Sequence, residues 1–179
     1  MIRPIIILID NTIEMARYSS CLKDSIVEII NYCRTNPYML DSSVSFVSFE
    51  GKILYNTTIN KFEEGNISLR TSSNASLDGG FISILNQSAN IQKKSFAIII
   101  TCGKSSFIQP STIKEYKASY TPFAVVCMEQ NCNCDWVEAL TNNPRVFHTP
   151  LTKDKLNNLF VVPTFYINDN RDHNYFATV

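Results

Sequence analysis

Oxygen donors recur at alternate positions in Asp10-Asn11-Thr12-Ile13-Glu14, immediately after the apolar run Pro4-Ile-Ile-Ile-Leu-Ile9. Such a run suits a strand buried on both faces, which would deliver a carboxylate, a hydroxyl and a second carboxylate to its C-terminal tip. Open α/β sheets bind their ligands outside that edge. A second apolar run, Phe96–Ile100, ends on Thr101-Cys102-Gly103 and is expected to bring Cys102 to the same rim. Hard oxygen donors on a shared rim suit either a small divalent cation or hydrogen bonding to a partner.

Sulfur offers a different chemistry. Cys102 and Cys127 are expected to end neighbouring parallel strands, with Cys132 and Cys134 on the loop just beyond. Four thiols at one sheet edge would suit zinc or a redox disulfide. The spacing Cys-x4-Cys-x-Cys lacks the two-residue gap of common zinc knuckles, and buried structural thiols are the plainer reading. Gly103-Lys104-Ser105 ends like a phosphate-binding loop, but the glycine that loop needs five positions earlier is replaced by Ile98 in mid-strand. A nucleophilic pair of Cys102 and His148 would be split by an intervening strand. Neither Gly-x-Ser-x-Gly nor His-Glu-x-x-His occurs, so no enzymatic activity is expected.

Composition narrows the field further. The 179 residues are 45% hydrophobic, enough for one domain with a sizeable core. Sixteen Lys and Arg balance sixteen Asp and Glu, so no charge excess points to nucleic acid or an anionic membrane. No run approaches the ~20 apolar residues of a membrane span. Met1–Ile9 reads as a first strand rather than a signal peptide. A cytoplasmic protein with reduced cysteines follows, and the four Asn-x-Ser/Thr sequons starting at Asn56, Asn66, Asn74 and Asn86 read as chance. No small-molecule substrate is evident.

The elements that would position these residues follow from periodicity. Leu22, Ile26, Ile29, Ile30 and Cys33 recur at helical spacing within about Met15–Arg34. Val44–Phe49 and Lys52–Ile59 flank Glu50-Gly51 as a hairpin, so the second of the pair runs antiparallel at an edge. Helices are expected at Ser76–Ala89, Ser111–Ala118, Asp135–Thr141 and Thr152–Phe160, and further strands at Phe123–Met128 and Arg145–His148. Gly79-Gly80 weakens the first turn of the Ser76 helix. Trp136, Phe147 and Phe160 read as core anchors. Strands alternating with helices define an α/β fold: three layers, doubly wound, with a mostly parallel sheet and one antiparallel edge strand. Residues 1–165 form the domain and 166–179 a C-terminal tail.

A strand closing on Asp10-x-Thr12-x-Glu14, a long helix, a hairpin, and a hydrophobic strand closing on Thr101-Cys102-Gly103 resemble the von Willebrand factor A (VWA) domain. The nearest branch is the intracellular bacterial type found with tellurite-resistance and stress genes. The resemblance implies a protein-binding module whose sheet edge holds a divalent cation, usually magnesium, at a metal-ion-dependent adhesion site (MIDAS). There a partner carboxylate completes the coordination. Asp10, Thr12 and Ser76 match family ligands, whereas Glu14 stands where a serine belongs and Cys102 where an aspartate belongs. A soft sulfur and a lost charge disfavour magnesium. The expectation is a degenerate MIDAS with no cofactor, in which Asp10, Thr12, Glu14, Ser76, Asp78 and Cys102 face another protein. Two alternatives stay open. One is a working magnesium or manganese site that captures a partner carboxylate, and the other is a zinc or redox protein using Cys102, Cys127, Cys132 and Cys134.

Overall fold

Ile5–Ile9 (β1) has a parallel neighbour on each side, and all five residues are buried. Its lack of polar alternation has a direct cause: a side chain on either face meets a helical layer, and burying each contributes about 1.5–3 kcal/mol. The computed structural model describes residues 4–89, 95–163 and 172–174.

A 3-10 turn at Ile13–Tyr18 leads from β1 into helix α1 (Ser19–Arg34). The hairpin of β2 (Ser43–Ser48) and β3 (Ile53–Thr58) follows, turning at Gly51 with φ +90°. Then come α2 (Leu77–Ala89), β4 (Phe96–Thr101), α3 (Pro110–Ser119), β5 (Phe123–Cys127), α4 (Trp136–Leu140), β6 (Val146–His148) and α5 (Lys153–Leu159). The six strands form one sheet in the order β3-β2-β1-β4-β5-β6, parallel throughout except for edge strand β3. This is the three-layer α/β architecture expected from the element pattern.

The two-residue period of the strands sorts the core into two layers. Ile5, Ile7 and Ile9 pack with Leu22, Ile26 and Ile29 of α1 and Leu156 and Leu159 of α5. Ile6 and Leu8 pack with Leu77, Phe81 and Ile84 of α2, Tyr116 of α3 and Trp136 of α4. Trp136 meets Phe81 edge-on at 5.6 Å, and Phe160 is fully buried in the other layer, both as anchors; Phe147 is only partly buried. Among the described residues no helix is long and apolar enough to cross a membrane. Of the expected tail, Asp172–Asn174 pairs antiparallel with Val161–Pro163.

The glycine pair of α2 has a packing reason that its low helix propensity conceals. A Cβ on Gly80 would come within 2.8 Å of Leu8, and one on Gly79 within 2.9 Å of the Phe49 carbonyl oxygen. The first turn of α2 therefore lies against Leu8 of β1 and against the Phe49 backbone just after β2, where a Cβ on Gly79 would not fit. Alanine at an exposed helical glycine stabilises by about 1 kcal/mol. Gly79→Ala is expected to do the opposite, lowering the unfolding free energy by about 1–3 kcal/mol in urea denaturation, because a backbone atom must shift.

Candidate functional site

Winding reverses between β1 and β4, since the chain leaves β1 toward β2 and β3 and returns on its other side. The loops that follow these two strands diverge there, which opens a crevice at the carboxyl edge. Asp10 stands in that crevice. Its N–H donates to the Ile100 carbonyl at 2.9 Å, which keeps it level with Thr101. Its Oδ1 accepts the Thr12 N–H at 2.9 Å and the Thr12 hydroxyl at 2.6 Å. Its Oδ2 accepts the Thr101 hydroxyl at 2.7 Å, the Cys102 N–H at 3.3 Å and the Cys102 thiol at 3.6 Å. A carboxylate has about four lone-pair positions, and these donors occupy them all.

Of the residues expected to face a partner, Asp10, Thr12 and Cys102 are buried, at 0%, 8% and 2% exposure. They act instead as an internal clasp between β1 and β4. Glu14 is exposed. Ser76 and Asp78 are half-buried: Ser76 Oγ caps the first turn of α2 by accepting the Gly79 N–H at 3.0 Å, and Asp78 Oδ1 links α2 to the segment before α3 by accepting the Gln109 N–H at 2.8 Å. Ser105 Oγ returns the link by accepting the Leu77 N–H at 2.8 Å. Burial and, after it, the Asp10 charge push the Cys102 thiol up, so it stays protonated and neutral.

Two residues of the rim escaped sequence reasoning. Thr101 was visible only as the end of an apolar strand; its hydroxyl donates to Asp10 and accepts the Gly103 N–H at 3.0 Å. Asn11 is 1% exposed and ties the 70–72 segment to the rim, its Nδ2 donating to the Arg70 carbonyl at 3.0 Å and its backbone carbonyl accepting the Ser72 N–H at 2.8 Å. A polar residue at the last position of an otherwise apolar strand was the available signal for Thr101.

A magnesium-type ion needs several oxygen ligands in near-octahedral array. Here the Asp10 lone pairs are filled, Cys102 presents a neutral sulfur, Ser76 caps a helix and Glu14 points into solvent-exposed surroundings. These residues do not fit such an ion. Among the described residues, the one group of three or more acidic, histidine or cysteine ligand atoms lying together is Cys127, Cys132 and Cys134. Cys102 does not join it, because strand alternation places Cys102 in the α1 layer and Cys127 in the α4 layer. Within the trio, Cys127 and Cys134 sulfurs are 2.9 Å apart and Cys132 and Cys134 sulfurs 3.4 Å apart. Thiol donation from Cys127 and Cys132 holds Cys134 well below the usual thiol range, while the same contacts raise Cys127.

Solved structures show the same fold. The chain is similar to proximal thread matrix protein 1 from the mussel byssus, in a structure with a zinc-occupied MIDAS motif, at 17% identity and TM-score 0.63 over 87% of this chain and 47% of that one. It is similar to the pilus adhesin SpaC from Lactobacillus rhamnosus GG at 10% identity and TM-score 0.64, over 87% and 29%. The ArnB paralog VWA2 from Sulfolobus acidocaldarius matches at 13% identity and TM-score 0.53, over 82% and 41%. The chain thus spans less than half the length of each and carries a VWA-type fold. No family model and no curated protein matches it.

Two outcomes follow from this geometry. Asp10→Ala leaves the buried Thr12 and Cys102 N–H groups unpaired and is expected to destabilise by about 3 kcal/mol or more, with Thr101→Val costing about 1–2 kcal/mol, both by chemical denaturation. In a pH titration of thiolate absorbance, the first cysteine to ionise is expected to do so below the ordinary thiol range, and Cys134→Ser abolishes that step.

Proposed function

We propose that this chain is a non-enzymatic VWA-type module that docks another protein on its β1–β4 rim without a metal ion or cofactor. One observation carries the reading. The polar centre of the rim is closed by its own hydrogen bonds, while large apolar side chains stand exposed on the loops that follow both strands, Ile13 at 65% and Phe107 at 70%. Scattered exposed apolar residues are ordinary, but a pair bracketing one crevice offers anchor points for a partner. Glu14, exposed beside Ile13, is available to a basic group on that partner.

Preorganisation supports the same reading. The hydrogen bonds joining Asn11 to segment 70–72, Leu77 to Ser105 and Asp78 to Gln109 link the rim loops before any partner arrives, so little ordering remains to oppose binding. Beside the rim, Met15, Leu22, Ile26, Ile67 and Leu69 line a groove of about 610 Å³. The resemblance further suggests a cytoplasmic module in a bacterial stress or tellurite-resistance system, which the genes neighbouring its own would test. No nucleic acid, membrane or small-molecule substrate enters this reading.

Magnesium and manganese titrations followed by thermal unfolding test the metal-free part. No rise in melting temperature is expected at millimolar ion, whereas a rise that Asp10→Ala removes would restore the adhesion-type mechanism. Ile13→Asp and Phe107→Asp test the docking part. Each is expected to weaken capture of a given partner at least about tenfold with the melting temperature unchanged. Equal capture by both variants would move the interface elsewhere.

A further inference from the structure

Cys127, Cys132 and Cys134 form a constellation apart from the rim clasp. Cys127 is fully buried at the end of β5, and the other two return to it on the following loop, half-buried. All three sulfurs lie within 4.8 Å of one another. The loop that carries them is held in place by backbone devices. The Met128 N–H donates to the Thr101 carbonyl at 3.0 Å, and the Cys132 thiol reaches the same oxygen at 3.8 Å. Asn133 Oδ1 accepts the Asp135 N–H at 3.1 Å. Gly103, at φ +77°, leaves the space: a Cβ there would come within 2.6 Å of the Asn133 nitrogen and 2.7 Å of the Cys132 sulfur. Apolar packing alone calls for no such convergence of three thiols, and the set contains no hard oxygen ligand.

We propose that Cys127, Cys132 and Cys134 bind one thiophilic d10 cation, zinc(II) or copper(I), through their three sulfurs. Thiolates select these ions over magnesium or calcium, and each coordinating sulfur that still carries a proton releases it to solvent on binding. Three sulfurs suffice for a trigonal copper(I) centre; zinc takes a fourth ligand. His148 is level with Cys127 on the adjacent strand, hence on the same face of the sheet, with its ring nitrogens outside the group of sulfurs that lie within 4.8 Å of one another. Its Nδ1 donates to the Glu129 carbonyl at 2.7 Å, which leaves the Nε2 lone pair for a ligand, the tautomer that metal-bound histidines adopt. The site is independent of the docking reading, since Cys102 and Asp10 take no part in it.

The test uses full-length reduced protein, with zinc(II) added in one arm and chelator-buffered copper(I) in the other. One equivalent is expected to bind in at least one arm. Alkylation read by mass spectrometry should then show residues 127, 132 and 134 protected while Cys21 still reacts. Cys132→Ser is expected to lower the affinity at least about tenfold with the circular dichroism spectrum retained, and Cys21→Ser to leave it unchanged. Cys134→Ser, on the half-buried loop, repeats the test should Cys132→Ser fold poorly. Metal that still binds to both folded serine variants with native affinity overturns the assignment. So does a reduced, folded protein that binds neither ion and whose Cys127 and Cys134 simply join as a disulfide under mild oxidant.

Discussion

The carboxylate of Asp10 is a full negative charge with no exposed surface, and the upper edge of the molecule is organised around making that tolerable. An unpaired buried charge would be ruinous to stability. Donors from Thr12, Thr101 and Cys102 surround it, two of them backbone N–H groups and two of them hydroxyls. These donors belong to both strands flanking the reversal of winding, so the charge joins the loops that sheet topology would otherwise let diverge. The rim is thereby a fixed platform, held by charge-assisted hydrogen bonds stronger than neutral ones.

That arrangement also makes the rim a poor fit for a hard ion, which is the basis of the docking reading proposed above. A cation competes for carboxylate lone pairs, and here the chain's own donors already fill them. The neutral Cys102 thiol completes the inward-facing set without adding charge. In the docking reading proposed above, recognition falls to what remains outside, the exposed Ile13, Glu14 and Phe107. Zinc occupies the MIDAS motif of the mussel thread protein of the same fold. Likeness of fold at that level of identity leaves site chemistry to the individual side chains.

Sulfur chemistry, in contrast, sits one strand away and in the other layer. Thr101 is the joint between the two constellations: its hydroxyl serves Asp10 and its carbonyl receives the Cys132 thiol and the Met128 N–H. Gly103 allows the contact by lacking a Cβ.

Much of the architecture was legible in the residues themselves. The unbroken apolar runs Ile5–Ile9 and Phe96–Ile100, the helical spacing through Leu22–Cys33 and the Glu50-Gly51 turn specify strands, helix and hairpin because burial and turn geometry act locally. The same locality placed Asp10 and Cys102 at one edge. What only the tertiary structure decided were relations between distant segments. It chose the partners of the Asp10 carboxylate, with Thr101 among them, turned Ser76 into a helix cap and Asp78 into a link to Gln109, and gave Gly79 its close approach to Phe49. It also separated Cys102 from the other three thiols. The physical reason is that alternation along a strand sets only relative faces, whereas the loop path and sheet order set which side chains meet across space.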